Sequence, residues 1–261
     1  MEWDAPAIVL DARPYGVGDA LATVMTEAHG AHRGLARGGA SRGRAGLWQP
    51  GNLVQVRWVA RLSDQLGSFT GELIHPAAAL AMAEPLTLAL LAAACAVAAG
   101  ALADRAPHPR VFQGLLGLIA RLGADPGAAA ARLAELVRWE AALLGELGYG
   151  LDLGACAVTG ATEGLAYVSP RTGRAVSAAA AGVWKERLLA LPAFLAANGD
   201  AGIADPAPAS LAACRDGLAL TGHFLARDAF GLHHKPLPQA RAMLYDRVAA
   251  LALTESPPDA G

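Results

Sequence analysis

The stretch Leu53-Val54-Gln55-Val56-Arg57-Trp58-Val59-Ala60-Arg61-Leu62 alternates strictly along its length. Val54, Val56, Trp58, Ala60 and Leu62 fall on one side, and Gln55, Arg57, Val59 and Arg61 on the other. A period of two is the signature of a strand with one face buried. Outward from it lie four shorter runs. Ala7 to Arg13 is closed by Pro14-Tyr15-Gly16, and Asp19 to Thr26 ends at Glu27-Ala28-His29-Gly30. Ala31 to Arg37 stops at Gly38-Gly39, and Gly67 to His75 ends at Pro76. Five short runs punctuated by turn residues predict a small closed β-barrel over residues 1–76.

After Pro76 the period changes. Ala77 to Ala103, Val111 to Leu122, Ala128 to Leu147, Ala178 to Ala197, Ser210 to Phe230 and Arg241 to Leu253 carry helical spacing. In the third, Leu133, Leu136, Val137, Leu144 and Leu147 form one stripe, with Gly148 and Gly150 placed to end it. Pro192 ends or kinks the fourth. Thr159-Gly160, Ser169-Pro170 and Thr172-Gly173 mark residues 154–178 as a hairpin or irregular insertion. Ser256-Pro257-Pro258 begins a frayed tail. The fold class is therefore α+β: a barrel over 1–76, then a helical domain over 77–261 interrupted by the insertion.

Of 261 residues, 54% are hydrophobic and 17% charged, which excludes a disordered chain. Leu86 to Ala103 carries no charge over 18 residues, a length that invites a membrane reading. Its alanine content and the lack of a flanking basic cluster favour a buried helix instead. Cys95, Cys156 and Cys214 are widely spaced and odd in number, so no disulfide framework is expected and a reducing cytoplasm fits. No G-x-x-x-x-G-K-[ST] or H-E-x-x-H is present, which favours binding over catalysis. His29 and His32 lack neighbouring ligands and read as surface residues; no metal and no cofactor is expected.

The net charge of −2 hides an uneven distribution. From Ala28 to Ser63 there is no acid, while Arg33, Arg37, Arg42, Arg44, Arg57 and Arg61 all fall there. Strand parity puts Arg33 with Arg37, and Arg57 with Arg61, on shared faces; Arg42 and Arg44 sit in a Gly/Ser-rich connection. Such a row repels itself unless a polyanion lies across it. A plain solvated surface in an arginine-rich chain is the competing reading. Trp58 belongs to the apolar face and reads as core, whereas Trp48, in the connection, reads equally as core or as a stacking platform.

Several segments resemble the RecO family of bacterial recombinational DNA repair mediators. Ala7 to Gly16, Thr23-Val24-Met25-Thr26-Glu27, His29-Gly30 and Leu35-Ala36-Arg37-Gly38-Gly39 look like its opening strands. Leu47-Trp48-Gln49-Pro50 is similar to its linker. Trp139-Glu140-Ala141-Ala142-Leu143-Leu144-Gly145-Glu146-Leu147-Gly148-Tyr149-Gly150 is the most specific match, and Lys235-Pro236-Leu237 with Arg241 is another.

The resemblance implies an N-terminal OB-fold and a non-enzymatic, cytoplasmic, nucleoid-associated protein. It implies binding of single- and double-stranded DNA, strand annealing, and RecR and the C-terminal tail of single-strand-binding protein as partners, with RecA loading as the outcome. Some members carry a four-cysteine zinc site in the insertion. Here Cys156 stands alone until Cys214, so a zinc-finger-like insertion without zinc is expected. Besides the six barrel arginines, Lys235 and Arg241 are candidates for a second basic contact. For the acidic tail the candidates are Arg138 beside Trp139, with Arg132 and Arg121 behind it; an ordinary Glu135–Arg138 helix pair is the alternative. Four to six phosphate contacts imply a single-strand salt slope of roughly −3 to −4. The rival function is an OB-fold adaptor for protein or oligosaccharide.

Overall fold

A computed structural model describes residues 1–62, 65–196 and 209–255. Five strands, β1 (Glu2–Tyr15), β2 (Asp19–Thr26), β3 (Gly30–Ala36), β4 (Leu53–Val59) and β5 (Ser68–His75), close into a barrel in the order β1-β2-β3-β5-β4. Closure depends on the length of β1. Its first half pairs with β4 and its second half with β2, both antiparallel, with a register shift between Val9 and Asp11. An extra residue at such a point bends a strand, which lets one strand serve both sides of the barrel. A short parallel pairing of β3 with β5 completes this five-stranded OB-fold.

The alternation that opened the sequence reading survives. Val54, Val56, Trp58 and Ala60 are buried, and Arg57, Val59 and Arg61 are exposed. The strand itself stops at Val59, however, so Arg61 lies in a bend and Leu62 is exposed. Small residues on β1 to β3 (Ala7, Ala20, Ala22, Ala36) leave room in the core for Trp48, Trp58 and Phe69. Gly34 is part of this fit, since a Cβ there would stand 2.7 Å from the Phe69 ring. Burying an aromatic such as Phe69 stabilises the fold by roughly 2–3 kcal/mol.

The helices are α1 (Ala77–Ala81), α2 (Pro85–Ala101), α3 (Pro109–Ala124), α4 (Ala129–Glu146), α5 (Ala178–Ala181), α6 (Ala193–Ala196), α7 (Leu211–Phe224) and α8 (Gln239–Glu255). The expected helix 77–103 is thus two. Glu84 takes an extended conformation, accepts the Thr87 N–H at 2.7 Å and caps α2, with Pro85 at its first position. No described helix is long and apolar enough to cross a membrane.

The expected helix 178–197 breaks at Gly182, whose φ of +46° suits glycine. A 3-10 turn, Gly182–Arg187, leads to β8 (Leu189–Ala190), which joins β6 (Leu165–Val168) and β7 (Ala175–Ser177) in a three-stranded sheet. The insertion is therefore an ordered hairpin with a third strand. Leu133, Leu136, Val137 and Leu144 of α4 are all fully buried, as their stripe predicts. The tail from Ser256 falls outside the described residues. The chain forms two compact units, Met1–Ala129 with Pro238–Arg241, and Ala130–Leu237 with Ala242–Gly261.

Candidate nucleic-acid interface

Two groups of arginine emerge within the barrel unit. The first lies on the strand faces. Arg57 Nη2 donates to Glu2 Oε2 at 2.7 Å, because the β1–β4 register sets Glu2 opposite Val59 and Asp4 opposite Arg57. The ion pair holds the Glu2 carboxyl below the usual carboxylate range and raises Arg57, with Asp4 adding to the second effect. Arg33 stands 3.4 Å from Asp104, which follows α2. Exposed pairs of this kind add little to stability. Their consequence is electrostatic: carboxylates stand where the local sequence showed only cations, so a phosphate arriving there meets acids as well as bases.

Behind this face, on the inner side of β3, His32 is only 4% exposed. Its ring stands edge-on to Trp58 at 4.7 Å and to Trp3 at 5.2 Å, and both ring nitrogens lack a hydrogen-bond partner. Burial first, then the charges of Arg105 and His29, lower its pKa to about 4, so the ring is neutral. The surface reading of His32 is corrected: the strand period turns it into the aromatic cluster.

The second group occupies the connection from β3 to β4. Arg37, just beyond the end of β3, is exposed, as are Arg42 and Arg44, and none of the three makes an ion pair among the described residues. This connection is a ladder of tight turns. Ser41 and Arg44 N–H groups donate to Gly38 and Ser41 carbonyls, each at 3.0 Å. Asn52, 2% exposed, anchors its far end: Nδ2 donates to Gly46 O at 2.8 Å, and Oδ1 accepts the Ala78 N–H at 3.0 Å. Gly51, at φ +95°, lies against Leu91 where no side chain fits. The near end is tied to the β1–β2 turn, where Asp19 Oδ1 accepts the Gly38 N–H at 2.7 Å and Gly18 O accepts the Ala40 N–H at 3.0 Å.

Arg37 and Arg44 border a cleft of about 290 Å³ whose other walls are Gly43, Leu47, Trp48, Phe69, Thr70 and Gly71. Trp48 and Phe69 are stacked at 6.0 Å, and both are nearly buried beneath the cleft. Trp48 thus serves the core and the cleft together, and Trp58 is core, its Nε1 donating to Leu66 O at 3.0 Å. The sequence reading missed Asn52, Thr70 and the exposed Tyr15 and Val17 at the β1–β2 turn. Only Tyr15 had a signal, as part of a turn motif.

The basic, cleft-bearing connection of the barrel is the candidate nucleic-acid interface, and comparison with known proteins gives the family. A family model described as "Recombination protein O N terminal" matches residues 1–77, and "Recombination protein O C terminal" matches residues 82–238. A DNA repair protein RecO of Granulibacter bethesdensis is 60% identical over 255 residues, 98% of each chain. One of Acidiphilium cryptum is 61% identical over 248 residues, 95% of this chain and 96% of that one. The chain belongs to the RecO family. The role it shares with these RecO proteins is DNA repair.

The remaining candidates of this RecO chain fare unequally. Arg241 is only 1% exposed, which corrects its assignment to a surface contact: a side chain enclosed by protein cannot reach a phosphate. Lys235 is exposed on the turn after left-handed His234, its N–H bonded to Phe230 O at 3.1 Å. Arg138 is half-buried, its guanidinium 5.3 Å from the Phe194 ring centre and its Nε donating to Phe194 O at 3.3 Å. Glu135 pairs with Arg132 at 2.8 Å. Arg121 is exposed and lies over Gly117 on α3. These five belong to different compact units, Arg121 and Arg241 to the first and the others to the second.

The insertion does not fit the zinc of some RecO proteins. Cys156 is buried and its Sγ accepts the Ser177 N–H at 3.3 Å, and no described cluster of His, Cys, Asp or Glu suits a metal. Bonds from Ser177 and Thr159 hold the thiol down to about 6. Hydrogen bonds across the turn, Cys156 N–H to Ala161 O at 2.7 Å and Gly160 N–H to Cys156 O at 2.9 Å, keep its shape.

Proposed function

We propose that this RecO-family chain binds single- and double-stranded DNA through the β3–β4 connection of its barrel and anneals complementary strands, without catalysing a covalent reaction. The observation that carries this reading is the trio Arg37, Arg42 and Arg44, exposed on a hydrogen-bonded connection and unopposed by carboxylates among the described residues. Annealing is limited by repulsion between two polyanions, and guanidinium groups that neutralise phosphates lower that barrier. Arg61, exposed beyond β4, and Lys235 extend the set. RecR and the acidic tail of single-strand-binding protein are the proposed partners, recombinase loading the proposed outcome, and Arg138 over Phe194 the proposed grip on the tail carboxylate.

The test is binding of single-stranded DNA across several salt concentrations. With the four barrel cations at phosphates, the logarithm of the association constant falls with a slope of about −2 to −3. This is shallower than six contacts would give, because Arg33 and Arg57 have carboxylate partners. Flow-through from a single-stranded DNA column at low salt overturns the reading and favours the protein or oligosaccharide adaptor. Substituting Arg138→Ala without loss of affinity for a tail peptide removes the assignment of Arg138.

A further inference from the structure

Four of the five tryptophans serve the interior. Trp48, Trp58 and Trp139 are nearly buried, and half-buried Trp3 packs against the barrel core. Trp184 is the exception, 59% exposed beside Val183, which is 89% exposed. Two large apolar side chains adjoining in water are the kind of surface that marks an interaction site. They stand on the 3-10 turn Gly182–Arg187, every residue of which is exposed, so the turn projects from the insertion. Residues three apart eclipse in such a turn, which puts Arg187 on the row of Trp184 and Glu186 on the row of Val183. The Arg187 guanidinium accordingly lies over the Trp184 ring, 5.4 Å from its centre. Lys185 lies next to Trp184 in the chain, and neither cation makes an ion pair among the described residues.

We propose that this turn is a second strand site, separate from the barrel, on which an unpaired base stacks against Trp184 while its flanking phosphates meet Arg187 and Lys185. Stacking on an exposed ring beside cations is indifferent to sequence, because every base has a flat face. Glu186, on the other row, keeps its carboxylate off the path of the phosphates. A projecting turn, unlike a groove, leaves an acidic peptide uncovered on most sides, which favours a strand as the occupant. The inference rests on the annealing reading above and deepens it. The cations of the β3–β4 connection belong to the first compact unit and the turn to the second. A chain with a site on each unit holds two strands at once, and the encounter of complements becomes intramolecular at a high effective concentration. A duplex offers the ring a base face only at its ends, so the annealed product leaves the turn.

A short labelled oligothymidylate titrated into the full chain at low salt, followed by anisotropy and by tryptophan fluorescence, tests this. In the wild type a second oligomer binds after the first, and the second event quenches the exposed tryptophan. Trp184→Ala and, separately, Lys185→Gln with Arg187→Gln weaken the second event by about tenfold and leave the first within about twofold. Trp184→Phe keeps the second event and loses its quenching, since a phenyl ring still stacks. Annealing of complementary oligonucleotides slows by about tenfold in Trp184→Ala and keeps its rate in Trp184→Phe. Because Trp184 is exposed, these replacements leave the fold intact. A single oligomer per wild-type chain, or a second event untouched in both the alanine and the glutamine variants, overturns the second site and leaves the DNA reading standing. Equal weakening of both events makes the turn part of one continuous site and also overturns it. Weaker binding of an acidic peptide by Trp184→Ala with annealing unchanged gives the turn to a peptide and overturns it as well. A wild-type chain that binds no oligothymidylate overturns both readings together.

Discussion

The strand faces of the barrel and its β3–β4 connection hold arginines from one acid-free stretch of sequence, yet they differ in kind. On the strands, antiparallel pairing carries Glu2 and Asp4 alongside Arg57, and the chain after α2 carries Asp104 to Arg33. In the connection, held by tight turns and the Asn52 anchor, Arg37, Arg42 and Arg44 make no ion pair among the described residues. Asp19, the nearest acid from β2, gives an oxygen to the Gly38 N–H. The difference teaches that a cationic run in sequence becomes a cationic surface only where backbone pairing does not import acids from elsewhere.

Replacing Arg37, Arg42 and Arg44 together by glutamine is the strongest way to break this comparison. Single-strand affinity at low salt falls on the order of a hundredfold and the salt slope becomes shallower by about 2, as a fluorescence titration measures. A slope that stays at its wild-type value places the DNA elsewhere. Comparable in size is the effect of the buried histidine behind the strand face. Its ordinary pKa is 6.5 and the fold lowers it to about 4. As pH falls through 6.5 the unfolded chain binds a proton that the native His32 refuses, so stability present at neutral pH is lost down to about pH 4. The loss reaches about 3 kcal/mol by denaturant unfolding. His32→Phe removes that contribution, and an unaltered pH dependence in this variant disproves the burial argument.

Smaller effects sharpen the comparison from the acid side. Glu2→Gln with Asp104→Asn uncovers Arg57 and Arg33, and single-strand binding tightens by roughly threefold to fivefold with a steeper salt slope. Substituting Arg33 and Arg57 themselves by glutamine changes affinity by less than about twofold, because each carries its acid with it. If this pair matters as much as the connection trio, the strand face is the true binding surface.

Much of the barrel was legible because its signal is local. The alternation of Leu53 to Leu62 placed Val54, Val56 and Trp58 inside and Arg57 outside before any pairing was known, and β2 matches its run residue for residue. The helical half was legible where a stripe was long, as in α4. It failed where alanine masked the breaks: Ala77 to Ala83 and Ala178 to Ala181 are apolar on every side, so Glu84 as a cap and Gly182 at positive φ left no periodic trace. Of the site, residue types were readable and their partners were not. Arg241 looked like Lys235 in a basic motif, and only packing distinguished the enclosed side chain from the exposed one.

By itself the sequence determined the α+β order, the inward and outward sides of the strands and the window from which binding cations come. These follow from the two-residue period of extended backbone and from the identities of neighbouring residues. Tertiary structure decided which cations remain available, that Trp48 and Phe69 meet to wall a cleft, and that Arg241 is enclosed. Each of those depends on residues far apart in the chain, and the Coulomb and packing interactions that matter act over a few ångströms of space.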